Sequence, residues 1–85
     1  MTTVRIGGGE GDFLGYAKNV VELVSPVPFA PGQPGRFELG LEAGALALEG
    51  RSLGSRKRDD GRFVVRFRLI SLRRDEREAL EALGG

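Results

Sequence analysis

The sequence predicts a mainly β fold: a small antiparallel barrel or sandwich of five or six short strands, with one α-helix at the C-terminal end. Three observations support this. Apolar and polar residues alternate in several short runs, turn residues recur about every ten positions, and the apolar spacing becomes helical only after residue 70. At 85 residues the chain is expected to form a single domain with a small core.

The first half of the chain is predicted to contain two strands and a long loop. Thr3–Ile6 is a candidate first strand, and Gly7–Gly11 is read as a flexible turn, since glycine tolerates positive φ. Residues 12–24 (DFLGYAKNVVELV) are predicted to form the next strand. Residues 25–35 carry all four prolines, which fix φ and remove backbone donors, so we expect an extended crossing loop there.

Further runs in the second half alternate with the period of a half-buried strand. In RFELGL (residues 36–41) the large apolar side chains share one face, and a turn at Glu42–Gly44 is expected to lead into ALALEGRSL (residues 45–53). The dipeptide Asp-Gly at residues 60–61 indicates a two-residue hairpin turn. The next run, RFVVRFRLI (residues 62–70), alternates most regularly, with two arginines on the face opposite its aromatic side chains.

A single helix is predicted over residues 73–83. Ala79, Leu80 and Leu83 fall at helical spacing, and two acidic residues in the first turn suit the positive end of the helix dipole. A helix of about three turns does not persist alone in water. It must therefore dock on the strands.

The composition narrows the possible functions. Basic and acidic residues number 13 and 12, and the net charge of +1 is too small for a general nucleic-acid binder. The chain has neither cysteine nor histidine, so it lacks thiolates, the commonest metal ligand and the commonest general base. We therefore expect no enzymatic activity, no metal site and no cofactor. No long apolar run is visible, so we expect no membrane insertion and a cytoplasmic location.

The glycine-rich stretch IGGGEGDFLG invites comparison with dinucleotide-binding loops, whose G-x-G-x-x-G pattern opens a helix. Gly7 and Gly9 fill the first two glycine positions of that pattern, but Asp12 stands at the third. A β-rich segment follows instead of a helix. We therefore expect a mobile loop here and not a phosphate site.

Basic residues crowd the expected hairpin and the strand after it: Arg51, Arg56, Lys57, Arg58, Arg62, Arg66 and Arg68. Such a stripe can contact phosphates, an acidic protein or a second copy of the chain, or it can keep an edge strand soluble. Single-strand binders combine such charge with stacking aromatic rings. Here Phe63 and Phe67 are predicted to point to the other side, so nucleic-acid binding is the less favoured alternative.

Four stretches, taken in order, give the chain a resemblance to PilZ domains: DFLGYAKNV, PVPFAPGQPGRFELGL, LALEGRSL and GRFVVRFRLISLRRDEREALEAL. The resemblance covers roughly Asp12–Leu83. It implies a single PilZ-like domain over residues 1–85, a six-stranded antiparallel β-barrel with strands between about residues 2 and 70 and a C-terminal helix over residues 73–83. The usual ligand of the family is cyclic di-GMP, bound through an R-x-x-x-R segment before the first strand and a [D/N]-x-S-x-x-G motif.

This chain departs from both motifs. Arg5 has no arginine four residues away, and only Asn19 matches the second motif, since Val21 and Val24 occupy its serine and glycine positions. Without paired arginines a ligand loses charge-assisted hydrogen bonds of about 1.5–3 kcal/mol each. The resemblance therefore implies a PilZ-like adaptor for a protein partner in type IV pilus assembly, motility or cell polarity, without tight binding of cyclic di-GMP.

Two alternatives to the adaptor remain open. One is an atypical cyclic di-GMP receptor that uses Asn19 and the basic hairpin, and the other is a small basic β-barrel that binds nucleic acid. For the adaptor, the candidate contact residues are Phe29 and the basic residues of the hairpin. Phe29 lies in the proline-rich segment, where it either anchors a partner or fills the mouth of the barrel.

Overall fold

The computed structural model describes residues 2–41 and 44–84. The strands are β1 (Thr3–Ile6), β2 (Gly9–Ala17), β3 (Val20–Ser25), β4 (Pro34–Leu41), β5 (Gly44–Lys57) and β6 (Phe63–Leu69), and the helix is α1 (Arg74–Gly84). Around the barrel the strand order is β1-β2-β3-β6-β5-β4, and β4 closes on β1. The predicted six-stranded antiparallel β-barrel with one C-terminal helix is confirmed.

Two tight hairpins begin the barrel and correct the predicted strand bounds. Gly7 and Gly8 (φ 60° and 79°) join β1 to β2, and Lys18 and Asn19 (φ 52° and 65°) join β2 to β3. Positive φ at both central residues is the type I′ geometry, which matches the twist of the flanking strands. Residues 12–24 therefore form two strands and not one, and the predicted loop after β1 ends at Gly8.

The middle of β2 shows why its alternation is hard to see in the sequence. At Gly11 an added Cβ would lie 1.6 Å from the carbonyl oxygen of Val24, so only glycine allows the two strands to approach this closely. The pairing with β3 then shifts between Phe13 and Gly15, which makes Leu14 the extra residue of a β-bulge. The Leu14 side chain is 49% exposed as a result.

The longest strand, β5, pairs with its two neighbours in separate halves. Residues Gly44–Arg51 pair with β4, and residues Gly50–Lys57 pair with β6. The pairing with β6 shifts between Ser52 and Ser55, which marks a second bulge. Of the turn predicted at Glu42–Gly44, the first two residues lie outside the described residues and the third begins β5.

The turn between β5 and β6 has three residues, where two were predicted. The Arg58 N–H donates to the Arg62 carbonyl oxygen at 2.7 Å, and the Gly61 N–H donates to the Arg58 carbonyl oxygen at 3.1 Å. Gly61 has a φ of 87°. A tight turn followed by a glycine at positive φ is the common three-residue hairpin, so Asp-Gly marks the right place but not the turn length.

Buried apolar side chains fill the barrel. The ring centroid of Phe67, which is fully buried, lies 5.1 Å from that of Phe29 and 5.2 Å from that of Phe37. Phe29 comes from the loop after β3, and Leu80 of α1 joins the same cluster from the segment after β6. Because β3 ends where β6 begins, these two side chains enter the barrel from opposite ends.

The proline-rich loop between β3 and β4 is held by the bulged part of β5. The Ser55 hydroxyl donates to the Phe29 carbonyl oxygen at 3.0 Å and accepts from the Phe29 N–H at 3.1 Å. The Ser52 N–H donates to the Gln33 carbonyl oxygen at 2.9 Å. The predicted crossing loop is thus present, but it spans residues 26–33 and not 25–35, because Ser25 ends β3 and Pro34 opens β4 as the first residue of a strand.

The helix α1 begins and ends one residue later than the sequence predicts. The Arg73 N–H donates to Oε1 of Glu76 at 2.9 Å, which is one half of a capping box and defines the first turn. Leu80 is fully buried, so the expected docking on the strands is confirmed. Within residues 2–41 and 44–84 no helix has the length and apolar character needed to cross a membrane.

Candidate functional site

The seven basic residues predicted to cluster around the hairpin divide into two groups in the structure. Four exposed arginines project from the outer surface of β5 and β6 and are called the basic face: Arg51, Arg56, Arg66 and Arg68. The other three lie at or next to the β5–β6 turn: Lys57, Arg58 and Arg62. The two groups differ in how far acidic neighbours compensate their charge.

The turn group is largely neutralised. Oδ2 of Asp60 lies 3.3 Å from Nε of Arg62 and 3.8 Å from Nη2 of Arg58, and Arg62 also contacts Asp12 of β2 at 3.3 Å. The Arg62 backbone N–H, which donates to Asp60 at 2.9 Å, holds the pKa of that carboxyl below its usual value, and the two guanidinium groups act in the same direction. Arg58 and Arg62 therefore hold the turn in place, which leaves Lys57 as the available cation there.

The basic face, by contrast, has no carboxylate at ion-pair distance among the described residues. Arg51 donates to the Gly32 carbonyl oxygen at 3.1 Å. Arg51 and Arg68 lie directly opposite each other across β5 and β6, and like charges in this position destabilise a sheet. Glu22 of β3 is opposite Arg66. The fold therefore maintains a positive surface at some cost in stability.

Aliphatic side chains accompany these arginines. Leu53, in the bulge of β5, is 37% exposed, and Ile70, just after β6, is 46% exposed. Phe67 is fully buried and Phe63 packs against the core, so the predicted inward direction of both rings is confirmed. Arginine forks beside aliphatic groups suit the carboxylates of an acidic protein segment. They do not provide the stacking platforms that single-strand binders use.

Asn19, the residue that matches the second PilZ motif, lies in the turn between β2 and β3. Asparagine tolerates its φ of 65° better than most residues, and its Oδ1 accepts a hydrogen bond from the Tyr16 hydroxyl at 3.2 Å. The next residue, Val20, pairs with Arg68, whereas the basic turn precedes Phe63 at the other end of β6. These ends are about 17 Å apart at about 3.3 Å per residue. The structure therefore separates Asn19 from the basic turn, whereas Arg51 and Arg68 lie at the Asn19 end of β6.

Phe29, the remaining predicted contact residue, is 8% exposed and packs edge-on against Phe67. Of the two roles considered for it, the structure shows the one in which it fills the mouth of the barrel. The prediction that Phe29 contacts a partner at the surface is therefore wrong, because its ring is buried in the core and a partner cannot reach it. Val27, in the same loop, is a large apolar side chain that stays accessible, at 36% exposed.

A second surface feature was not indicated by the sequence. A trough of about 990 Å³ crosses the outer side of β1, β4 and β5, between the β1–β2 turn and the segment after β6. Arg36 and Glu49 form an ion pair of 3.2 Å within it. The trough is acidic on balance, and its charged residues come from elements far apart in the chain: Arg5, Glu10, Arg36, Glu38, Glu49 and Glu76.

Comparison with protein-family models, with curated proteins and with solved structures finds no significant match to this chain. In the part of the chain that the structure describes, no three acidic side chains come together in a way that could hold a metal ion. The geometry and charge of the basic face make it the candidate functional site.

Proposed function

We propose that this chain is a non-enzymatic, PilZ-like adaptor domain that binds a protein partner through its basic face. The observation that carries the proposal is the opposition of Arg51 and Arg68, flanked by the other two arginines of the face. An acidic segment of a partner would relieve the repulsion and form charge-assisted hydrogen bonds with the guanidinium groups. The family resemblance supports a place for such an adaptor in cytoplasmic bacterial signalling, in motility, type IV pilus or polarity systems.

The same geometry ranks the two alternatives below the adaptor. A cyclic di-GMP receptor built from Asn19 and the basic hairpin would have only Arg51 of that hairpin at the Asn19 end of β6, because the other hairpin cations lie at the far end. A nucleic-acid binder would lack aromatic rings on its charged face, because Phe63 and Phe67 belong to the core side. An acidic polypeptide requires neither feature.

A pair of charge-reversal variants tests the adaptor. Arg66→Glu/Arg68→Glu alters the basic face, and Arg74→Glu/Arg77→Glu makes the same change in net charge at exposed arginines of α1. Each immobilised protein is incubated with a lysate of its host, and the retained proteins are quantified by mass spectrometry. We expect a partner that the wild type and the control variant retain and that the basic-face variant retains at least ten-fold less. Equal retention by the two variants would contradict the proposal.

Two titrations address the alternatives directly. Isothermal titration with cyclic di-GMP should show no binding tighter than about 10 μM. Fluorescence anisotropy with a single-stranded oligonucleotide should stay flat across a salt series, including low salt. Tight binding in the first titration would favour the receptor, and salt-dependent binding in the second would favour the nucleic-acid binder.

A further inference from the structure

The first half of β5 has an open edge. Residues Gly44–Arg51 pair with β4 on one side. On the other side, pairing with β6 begins only where Gly50 faces Leu69. The Ile70 N–H still donates to the Glu49 carbonyl oxygen at 3.2 Å. Beyond that bond, no described residue forms a backbone hydrogen bond with this edge.

The edge is open because the chain turns away from it after β6. Ser71 has a φ of 55°, in the left-handed region, which ends the extended course of the chain. In an antiparallel sheet, consecutive residues direct their N–H and C=O groups alternately to the two neighbouring strands. The backbone N–H and C=O groups of Ala45 and Ala47 therefore point in the same direction as those of Glu49, toward the side of β5 that β6 does not reach. Both alanines are exposed.

The other half of β5 does not share this exposure. Past its pairing with β4, the proline-rich loop covers it through the hydrogen bonds of Ser52 and Ser55. Proteins commonly protect a sheet edge by covering it or by placing lysine or proline on it. Residues 45–48 of β5 are Ala-Leu-Ala-Leu, which carry neither kind of protection. An unprotected edge of this kind is what strand-adding partners use.

We propose that this edge is a strand-addition site, at which an extended basic segment of another protein pairs antiparallel with residues 45–49. The side chain of the added residue opposite Ala47 would project to the outer face, beside Glu49. Ala47 lies between this residue and Glu38 of β4, and its side chain is small enough to leave Glu38 within reach. The four glutamates of the trough outnumber its two arginines, so lysine or arginine fits the outward positions, where it would share Glu49 with Arg36 and Glu38 with Arg5. The alternate, inward positions would lie beside Leu46 and Leu48 and fit apolar residues.

This inference goes beyond the proposed function, because it concerns a different surface and a partner segment of opposite charge. The basic face lies along β6 and the second half of β5, whereas the open edge lies along the first half of β5. A domain with both sites could hold an acidic and a basic segment at the same time. Two such sites on one domain would allow it to link two partner proteins, as an adaptor does.

The experiment uses the full chain and the synthetic peptide acetyl-KVKVKVK-amide. Binding is followed by the amide NMR shifts of the 15N-labelled protein. We expect the largest shifts at Ala45 and Ala47, and at least ten-fold weaker binding of acetyl-EVEVEVE-amide. Shifts centred on other elements, equal affinity for the two peptides, or no binding at millimolar peptide would overturn the proposal.

Backbone methylation separates strand addition from simple charge attraction. The residue opposite Ala47 forms the hydrogen-bonded pair and projects outward, so the lysine N–H groups should face β5 and the valine N–H groups should face solvent. N-methylation of the lysines should weaken binding at least ten-fold, and N-methylation of the valines should weaken it less than three-fold. Equal losses from the two methylations would refute strand pairing.

Two further measurements keep the outcomes distinct. Shifts of Ala45 and Ala47 that depend on protein concentration without peptide would identify a second copy of the chain as the occupant and would overturn the proposal. The Arg66→Glu/Arg68→Glu variant should bind acetyl-KVKVKVK-amide at least as well as the wild type does. Failure at this edge therefore leaves the test of the basic face intact.

Discussion

Replacing Arg68 by glutamate should stabilise the fold although it removes a charge from the basic face. Arg68 lies directly opposite Arg51, and the Cβ atoms of such pairs are about 4.5–5.5 Å apart. Two guanidinium groups that spread to about 8 Å repel by about 0.5 kcal/mol in water, and by about 0.2 kcal/mol at physiological salt. An Arg–Glu pair in the same place attracts by about 0.2–1 kcal/mol. The free energy of unfolding should therefore rise by about 0.5–1 kcal/mol, and the Tm by about 2–8 °C.

Arg66 provides a matched control two residues away on the same strand. It lies opposite Glu22, so Arg66→Glu replaces an attractive pair by a repulsive one and should lower the free energy of unfolding by a similar amount. Urea unfolding followed by circular dichroism measures both variants at low and at high salt. Both effects should shrink at about 1 M salt, where the Debye length is about 3 Å. Changes of the same sign in the two variants, or changes independent of salt, would refute the reasoning.

Three other predictions concern the core, the loop and the turn. Gly35→Ala should lower the free energy of unfolding by about 1–3 kcal/mol, because the new methyl group would lie 2.6 Å from the Phe67 ring. Combining it with Phe67→Leu should cost less than the sum of the single changes in a urea double-mutant cycle, and strictly additive costs would argue against this contact. Ser55→Ala removes the partner of the Phe29 N–H and the nearer of the two hydroxyl donors to the Phe29 carbonyl oxygen and should cost about 1–3 kcal/mol; faster hydrogen exchange of the Phe29 amide checks the cause, and an unchanged exchange rate would exclude it. Because the folded state lowers the pKa of Asp60 from its ordinary 3.8, this carboxylate stabilises the fold above that value and loses its effect as the pH falls through the folded pKa. Thermal melts between pH 6 and 2 should therefore show Asp60→Asn to be less sensitive to acid than the wild type, and identical profiles would speak against the shift.

The strand that the sequence predicts best is β6, whose inward positions hold large apolar residues throughout, and in β4 the same holds from Phe37 onward. In β2 the inward position of Gly11 has no side chain, and the bulge at Leu14 breaks the alternation. The hairpin after it escapes prediction because Lys18 and Asn19 adopt positive φ without a glycine. Each error therefore has a local cause, either a missing side chain or an unusual backbone conformation.

The candidate site is predictable in composition but not in arrangement. The basic residues are visible in the sequence, yet their charge balance depends on cross-strand register, which joins Arg62 to Asp12 and sets Arg51 against Arg68. The open edge of β5 depends on where the chain leaves the barrel, and the positive φ of Ser71 decides this. No local sequence pattern indicates either feature.

The ladder between β1 and β4 is the place where the barrel should open most easily. It contains three residue pairs, Val4–Leu39, Arg5–Glu38 and Ile6–Phe37, and it is the shortest in the barrel. Opening it breaks the fewest hydrogen bonds, so the amides that cross it should exchange fastest among the strand amides that are hydrogen-bonded to a neighbouring strand. The opened species is a sheet whose two edge strands, β1 and β4, are both unpaired, and it exposes the side chains of Val4 and Ile6. Such a sheet is the form most prone to pairing with another molecule. Resistance to aggregation should therefore depend on these three pairs more than on the size of the core.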